Sequence, residues 1–237
     1  VTGIPRRSPW LLALARRYAR CRLARGLDGL YARGTGWVRA LARERPVILA
    51  ANHVGWWDSF LVVAVDQALG TEGYALMDAE SVRRLPFFAR LGALPLELGG
   101  VRARAGLRAA ASRLDRAGRA VWIFPQGRHR PAHVRPLGFQ GGVRLLARLA
   151  PEAAVVPAAF QYAWGERSAP AAYVHLGEPL AGGAALRVDA LEAAVADGLA
   201  AIDAALAGDA PPFPALVPPR ARRGEGAGSR GAGSARG

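Results

Sequence analysis

His53 and Asp58 stand five positions apart, directly after the apolar run Val47–Ala51. Histidine is the side chain best suited to take up a proton near neutral pH. A carboxylate bonded to its other ring nitrogen fixes the tautomer and stabilises the imidazolium that forms. The pair therefore reads as a general base and its partner, able to activate a hydroxyl. Plainer readings stand beside it: a histidine satisfied at a strand end, and an aspartate that caps the following helix. Neighbouring Asn52 reads as a turn holder or a substrate contact. Trp56 and Trp57 read as pocket lining or as buried rings.

The elements that must position this pair alternate in type. Val47–Ala51 reads as a buried strand and Asp58–Leu69 as a helix, which brings the two side chains together at the mouth of a sheet. Further strands are expected over 27–33, 74–77, 93–98, 120–124, 154–162 and Ala171–Leu176. Helices are expected over 10–25, 80–91 with a break near Pro86, 102–117 stopped by Gly118, 141–149 and 186–207. Strands alternating with helices give an α/β class, a mostly parallel central sheet flanked by helices. Three parts follow: a basic amphipathic N-terminal helix (1–26), a central domain (27–208), and a Pro/Gly/Arg-rich tail (209–237) expected to be disordered.

Charge is placed unevenly. The 237 residues hold 32 basic side chains, all arginine, for a net charge of +14. Eleven arginines against Asp28 and Glu44 fall in residues 1–45, and five against Glu225 in residues 220–237. The span between is nearly neutral, so the basic character sits at the two ends. Such ends suit an anionic lipid surface or nucleic acid. The near-neutral middle and the lack of a recognised nucleic-acid fold argue against specific nucleic-acid binding. In the 10–25 helix, Trp10, Leu11, Leu14, Ala15, Tyr18 and Cys21 share one face, and Arg16, Arg17 and Arg20 lie opposite. That helix either packs on the domain or lies in a lipid interface. No run approaches the ~20 apolar residues of a membrane span. Arginines interrupt any apolar leader, so the expected location is peripheral, on the cytoplasmic face of a membrane.

One cysteine, Cys21, excludes an intrachain disulfide framework. His129 and His133 are four apart, but Pro131 breaks the helix that would align them and no third ligand stands nearby. They read as loop residues, and no metal is expected. His175, in an apolar strand, reads as structural. The chain has no GxSxG elbow, no P-loop and no GxGxxG before a helix, so the common hydrolase, NTPase and dinucleotide readings lack support.

Asn52-His53-Val54-Gly55-Trp56-Trp57-Asp58 resembles the HX4D motif of the glycerolipid acyltransferase family, which includes 1-acylglycerol-3-phosphate acyltransferases. Gly92-Ala93-Leu94-Pro95-Leu96 is similar to the family's second block, Phe124-Pro125-Gln126-Gly127 to its third and Val155-Val156-Pro157-Ala158 to its fourth. The likeness spans roughly residues 33–179. It implies transfer of a fatty acyl group from a thioester, acyl-CoA or acyl carrier protein, to a lipid hydroxyl, with His53 and Asp58 catalytic. No cofactor is implied, since the thioester is a substrate. The implied substrate-binding set is Asn52, Trp56, Trp57, Gln126, Gly127, Arg128 and Arg130, with backbone N–H groups near Gly127 as oxyanion donors. The third block departs from the family's Phe-Pro-Glu-Gly-Thr-Arg-Ser. Gln126 replaces the glutamate, and His129 falls where the family's arginine meets an acceptor phosphate. In the second block the family's arginine falls near Leu98, with Arg102 and Arg104 shortly after. Lysophosphatidate thus competes as acceptor with a neutral glycolipid-type alcohol. A non-catalytic lipid-binding relative and a basic nucleic-acid-binding protein are the alternative readings.

Overall fold

A computed structural model describes residues 7–219. They run as α1 (Pro9–Gly26), β1 (Leu30–Arg33), α2 (Thr35–Glu44), β2 (Val47–Ala51), α3 (Asp58–Leu69), β3 (Glu72–Asp78), α4 (Ala79–Arg84), α5 (Phe87–Leu91), β4 (Ala93–Leu96), α6 (Gly100–Ala111), β5 (Arg119–Ile123), α7 (Gly142–Leu149), β6 (Ala154–Ala163), β7 (Ala171–Leu176), a short 3-10 turn, α8 (Val188–Ala207) and β8 (Ala215–Val217). Residues 1–6 and 220–237, which carry part of the expected basic ends, lie outside the described residues.

The eight strands form one sheet in the order β4-β3-β5-β2-β6-β7-β1-β8. The first five are mutually parallel, β7 runs antiparallel to β6, and β8 runs antiparallel to β1. This is the mostly parallel α/β sheet that the alternating pattern implies. β2 is buried at all five positions, as a central parallel strand covered on both faces must be. Its side chains alternate. Val47, Leu49 and Ala51 join Leu61, Val65, Trp122, Val156 and Phe160 in a core that also takes Leu23 of α1 and Val38 of α2. Ile48 and Ala50 face the other way, toward Leu107, Val143, Leu146 and Leu191. The helices thus pack in two layers, with β2 and β5 between them.

Several elements differ from the sequence expectation. α2 was not expected. It starts behind Gly34, which takes φ +92°, and lays Trp37, Val38, Leu41 and Ala42 on the core. The expected strand over 27–33 shortens to β1 because Leu27 still terminates α1, donating its N–H to Leu23 O. The 102–117 helix begins earlier and ends at Ala111. Ser112 Oγ bonds back to Ala109 O at 2.8 Å, and Arg113 and Leu114 close tighter i−3 turns that swing Leu114 into the core. Within the tail expected to be disordered, Phe213 is buried and β8 pairs with β1. Flanking prolines masked this strand.

α1 packs against α3 through a different face from the one its apolar residues outline. Ala19 and Leu23 are its buried positions, and Leu12 is half-buried beside them. Trp10, Leu14 and Tyr18 remain 55–69% exposed as a stripe at four-residue spacing. Small residues set this rotation. Gly26 lies so close to the Trp57 ring that a Cβ there would overlap it.

α3 also buries a carboxyl. Asp66 accepts the Thr71 hydroxyl, and Gly73 is required beside it because a Cβ would collide with the carboxylate. Burial pushes its pKa from the ordinary 3.8 up to about 6, against the opposing pull of Thr71, Arg7, Arg16 and the Gly73 amide. A carboxyl whose folded pKa is raised contributes most below its unfolded value. Its contribution to stability therefore falls as pH rises from 3.8 through about 6, by on the order of 3 kcal/mol. A 13C carboxyl titration of the folded protein is expected to show one aspartate with its midpoint near 6. A spectrum in which every aspartate titrates below 5 would refute this.

Candidate active site

The site lies beyond the C-terminal end of β2, where parallel α/β sheets place their ligand crevices. β2 delivers Asn52 and His53, and the N-terminus of α3 delivers Asp58. His53 Nδ1 and Asp58 Oδ2 are 2.7 Å apart. The same oxygen accepts the Val54 N–H at 2.7 Å and the Gly55 N–H at 3.0 Å. The other carboxylate oxygen accepts the Tyr162 hydroxyl at 2.6 Å. With four donors converging on it, Asp58 is an acceptor throughout, which puts the His53 proton on Nδ1 and leaves Nε2 as the basic nitrogen. Asp58 itself is fully buried, while the His53 side chain keeps 25% of its surface open.

The loop after β5 wraps His53 on its backbone and ring alike. Gln126 Oε1 accepts the His53 N–H at 2.5 Å, and the Arg130 N–H donates to His53 O at 2.8 Å. Phe124 stacks on the imidazole with ring centroids 4.3 Å apart, and His129 meets it edge-on at 4.0 Å. Burial and the neighbouring His53 hold His129 below the ordinary histidine range, against the pull of Asp58.

The structure divides the expected site residues. His53 and Asp58 come together. Asn52 is buried and bonds both backbone groups of Phe160, at 2.9 and 2.7 Å, so it ties β2 to β6. Gln126 is likewise buried: its amide nitrogen donates to Leu137 O at 3.0 Å while its oxygen holds His53. Its side chain thus links the His53 amide to the Leu137 carbonyl. The Gly127 N–H closes a turn on Phe124 O at 3.0 Å, which removes it as an oxyanion donor in this conformation. Trp57 packs on the core and under α1, whereas Trp56 is 59% exposed at the rim. Arg128 is exposed. Arg130 directs Nη1 to Leu137 O at 2.8 Å. Tyr162 and His129 were not in the expected set. The only signal for His129 was its place in the third block, and Tyr162 carried none.

The family model described as Acyltransferase matches residues 37–161, which includes β2, the His53–Asp58 turn and the Gln126 loop. The chain belongs to the glycerolipid acyltransferase family. No curated protein matches the sequence. For this acyltransferase the shared chemistry is acyl transfer to oxygen. Among the described residues, no group of three or more His, Cys, Asp or Glu side chains stands where it would hold a metal ion. No described helix is long and apolar enough to cross a membrane.

The Gln126 amide supports a direct expectation for this acyltransferase. Gln126→Leu keeps the volume and removes both hydrogen bonds. Leu137 O retains Arg130, but the His53 N–H is left without its partner. The expected cost is about 1–3 kcal/mol in chemical denaturation, with loss of activity because His53 is no longer held. An unchanged denaturation midpoint would show that Gln126 does not hold His53.

Proposed function

We propose that this acyltransferase moves a fatty acyl group from a thioester, acyl-CoA or acyl carrier protein, to a lipid hydroxyl, with His53 as general base and Asp58 as its partner. The 2.7 Å His53–Asp58 bond carries this reading, because it leaves Nε2 to meet a hydroxyl. The acceptor oxygen attacks the thioester carbonyl carbon as its proton passes to Nε2. The tetrahedral oxyanion collapses, the carbon–sulfur bond breaks, and the imidazolium returns the proton to the leaving thiolate. Asp58 offsets the imidazolium charge while it exists. No acyl-enzyme is needed, so a nucleophilic serine or cysteine has no part.

The site favours a neutral acceptor head over a phosphorylated one. His129 stands where the family pattern puts an arginine, with its pKa lowered from the ordinary histidine value, and Arg130 is directed to Leu137 O. Of the two guanidinium groups in the third block, Arg128 is the one at the exposed edge. A glycolipid-type alcohol fits this surface better than lysophosphatidate. The exposed stripe Trp10, Leu14 and Tyr18 supports peripheral docking on the cytoplasmic face of a membrane. Tyr18 approaches Phe60, which packs on Trp56, so the stripe leads toward His53. Arg17 and Arg20 of the same helix are exposed as well and suit anionic headgroups.

The test is thiol release from palmitoyl-CoA, and from a palmitoyl carrier protein, in detergent micelles with a panel of phosphorylated and neutral lipid alcohols. Release with a neutral acceptor is the expected result. Robust acylation of lysophosphatidate and of no neutral acceptor would overturn the acceptor reading. Lipid binding without release from either donor would favour the non-catalytic relative.

A further inference from the structure

Asp58 is held from two sides, and only one of them is local. Oδ2 is fixed by amides of its own turn, Val54 and Gly55. Oδ1 is fixed by a side chain 104 residues away, at the far end of β6. β6 reaches it because the strand outruns β2. The β2–β6 ladder ends at Ala51↔Ala158, and β6 continues to Ala163 by pairing with β7, where Tyr162 faces Ala172. The Asn52 side chain then continues the β2–β6 connection by bonding both backbone groups of Phe160. Tyr162 lies two residues further on, so it shares a face with Phe160. That face is the one holding Trp122 and Phe124, and Phe124 is the ring stacked on His53. Tyr162 also stands one residue beyond the span matched by the family model.

We propose that Tyr162 is a positioning residue of the catalytic pair, its hydroxyl holding Asp58 Oδ1 so that Oδ2 stays turned to the His53 imidazole. The inference rests on the His53–Asp58 reading above. A carboxylate can twist about its last bond and turn its plane away from the histidine. With Oδ1 engaged by a phenol and Oδ2 by two amides, one orientation remains. The phenol also draws off part of the carboxylate's charge, which moderates its hold on the imidazolium. Burial, and then the Asp58 charge itself, keep the phenol protonated far above the ordinary tyrosine range, so it donates at every working pH.

The charged and titratable groups around His53 are few. Asp58 comes from α3, His129, Arg128 and Arg130 from the loop after β5, and Tyr162 from β6. Arg22 of α1 lies over the Trp56 and Trp57 rings of the His53 turn, 5.5 and 5.8 Å from their centroids. Of these, Tyr162 alone touches Asp58 from outside its own turn and can be altered without changing a charge.

The test compares wild type, Tyr162→Phe and His53→Ala. Phenylalanine keeps the ring and removes the hydroxyl. Tyr162→Phe is expected to lower kcat/KM about tenfold, and to move its acid limb to higher pH by about 0.5 to 1, because the carboxylate now grips the imidazolium more strongly. A 15N-imidazole titration of His53 should show the same upward movement without any substrate, and it reads the effect even where turnover is low. Thermal melting controls for folding. A Tyr162→Phe protein with the wild-type His53 titration would overturn the proposal while leaving His53 as base. Full activity in His53→Ala would overturn the catalytic reading itself, and the positioning role with it.

Discussion

His53→Ala is expected to lower kcat by about 10²–10⁴-fold, the usual range for loss of a positioned general base. The fold should survive. The two backbone bonds that fix residue 53, to Gln126 Oε1 and from the Arg130 N–H, do not involve the imidazole. What is lost is a ring partly open to solvent and its contacts with Phe124 and His129. A melting temperature near that of wild type, together with lost thiol release, is the anticipated pattern. It separates a chemical role from a structural one. Retained turnover in a preparation free of contaminating enzyme would remove His53 from the mechanism.

Asp58→Asn should be the second large effect, about 10²–10³-fold in kcat. Its cause differs from a simple loss of orientation. Three donors surround Oδ2, from His53, Val54 and Gly55, and they admit a carbonyl oxygen but not an amide NH₂. Asparagine must therefore place its oxygen there and turn its NH₂ to the Tyr162 oxygen, which can accept. The His53 tautomer is preserved and only the negative charge disappears. The imidazolium loses its counter-charge, so the acid limb of kcat/KM should move to lower pH. Tyr162→Phe should move it the other way. Opposite movements in these two variants would be hard to produce by general loosening of the site. Movement in the same direction would mean that the carboxylate charge does not govern the base. Asp58→Ala is a poorer probe, since it strands two amides and a hydroxyl at a cost of about 1–3 kcal/mol each.

The part of the site legible in the sequence was the part closed within one turn. His53 and Asp58 are six residues of continuous chain, and the amides that complete their geometry belong to Val54 and Gly55. Gln126 was visible as a polar residue in the right block, but its role depends on burial between His53 and Leu137, which spacing does not encode. Tyr162 depends on how far β6 outruns β2, a property of the assembled sheet. The same holds for the fold. β2 and α3 announced themselves through unbroken apolar character and a clean helical start. α2 is short, with glycine at its entry and again at Gly36, so its pattern was weak. The α1 face that looked apolar was real, yet the packing face was chosen by Ala19, Leu23 and the close approach of Gly26 to Trp57. Sequence hydrophobicity and steric fit pointed to different sides of one helix.

The two ends of the sheet have a consequence for solubility. A sheet margin with unpaired amides recruits other strands, and long flat margins nucleate aggregates. Here both margins are short and interrupted. β4 has four residues with Pro95 inside it, and β8 has three, set between Pro214 and Pro218. β8 is the more consequential, because it covers β1, where Leu30 is fully buried and Ala32 nearly so. Its few residues, in a stretch that reads as tail, act as the lid on a sticky seam. Trimming the chain after residue 209 would leave the His53–Asp58 pair in place and open that seam to neighbouring molecules.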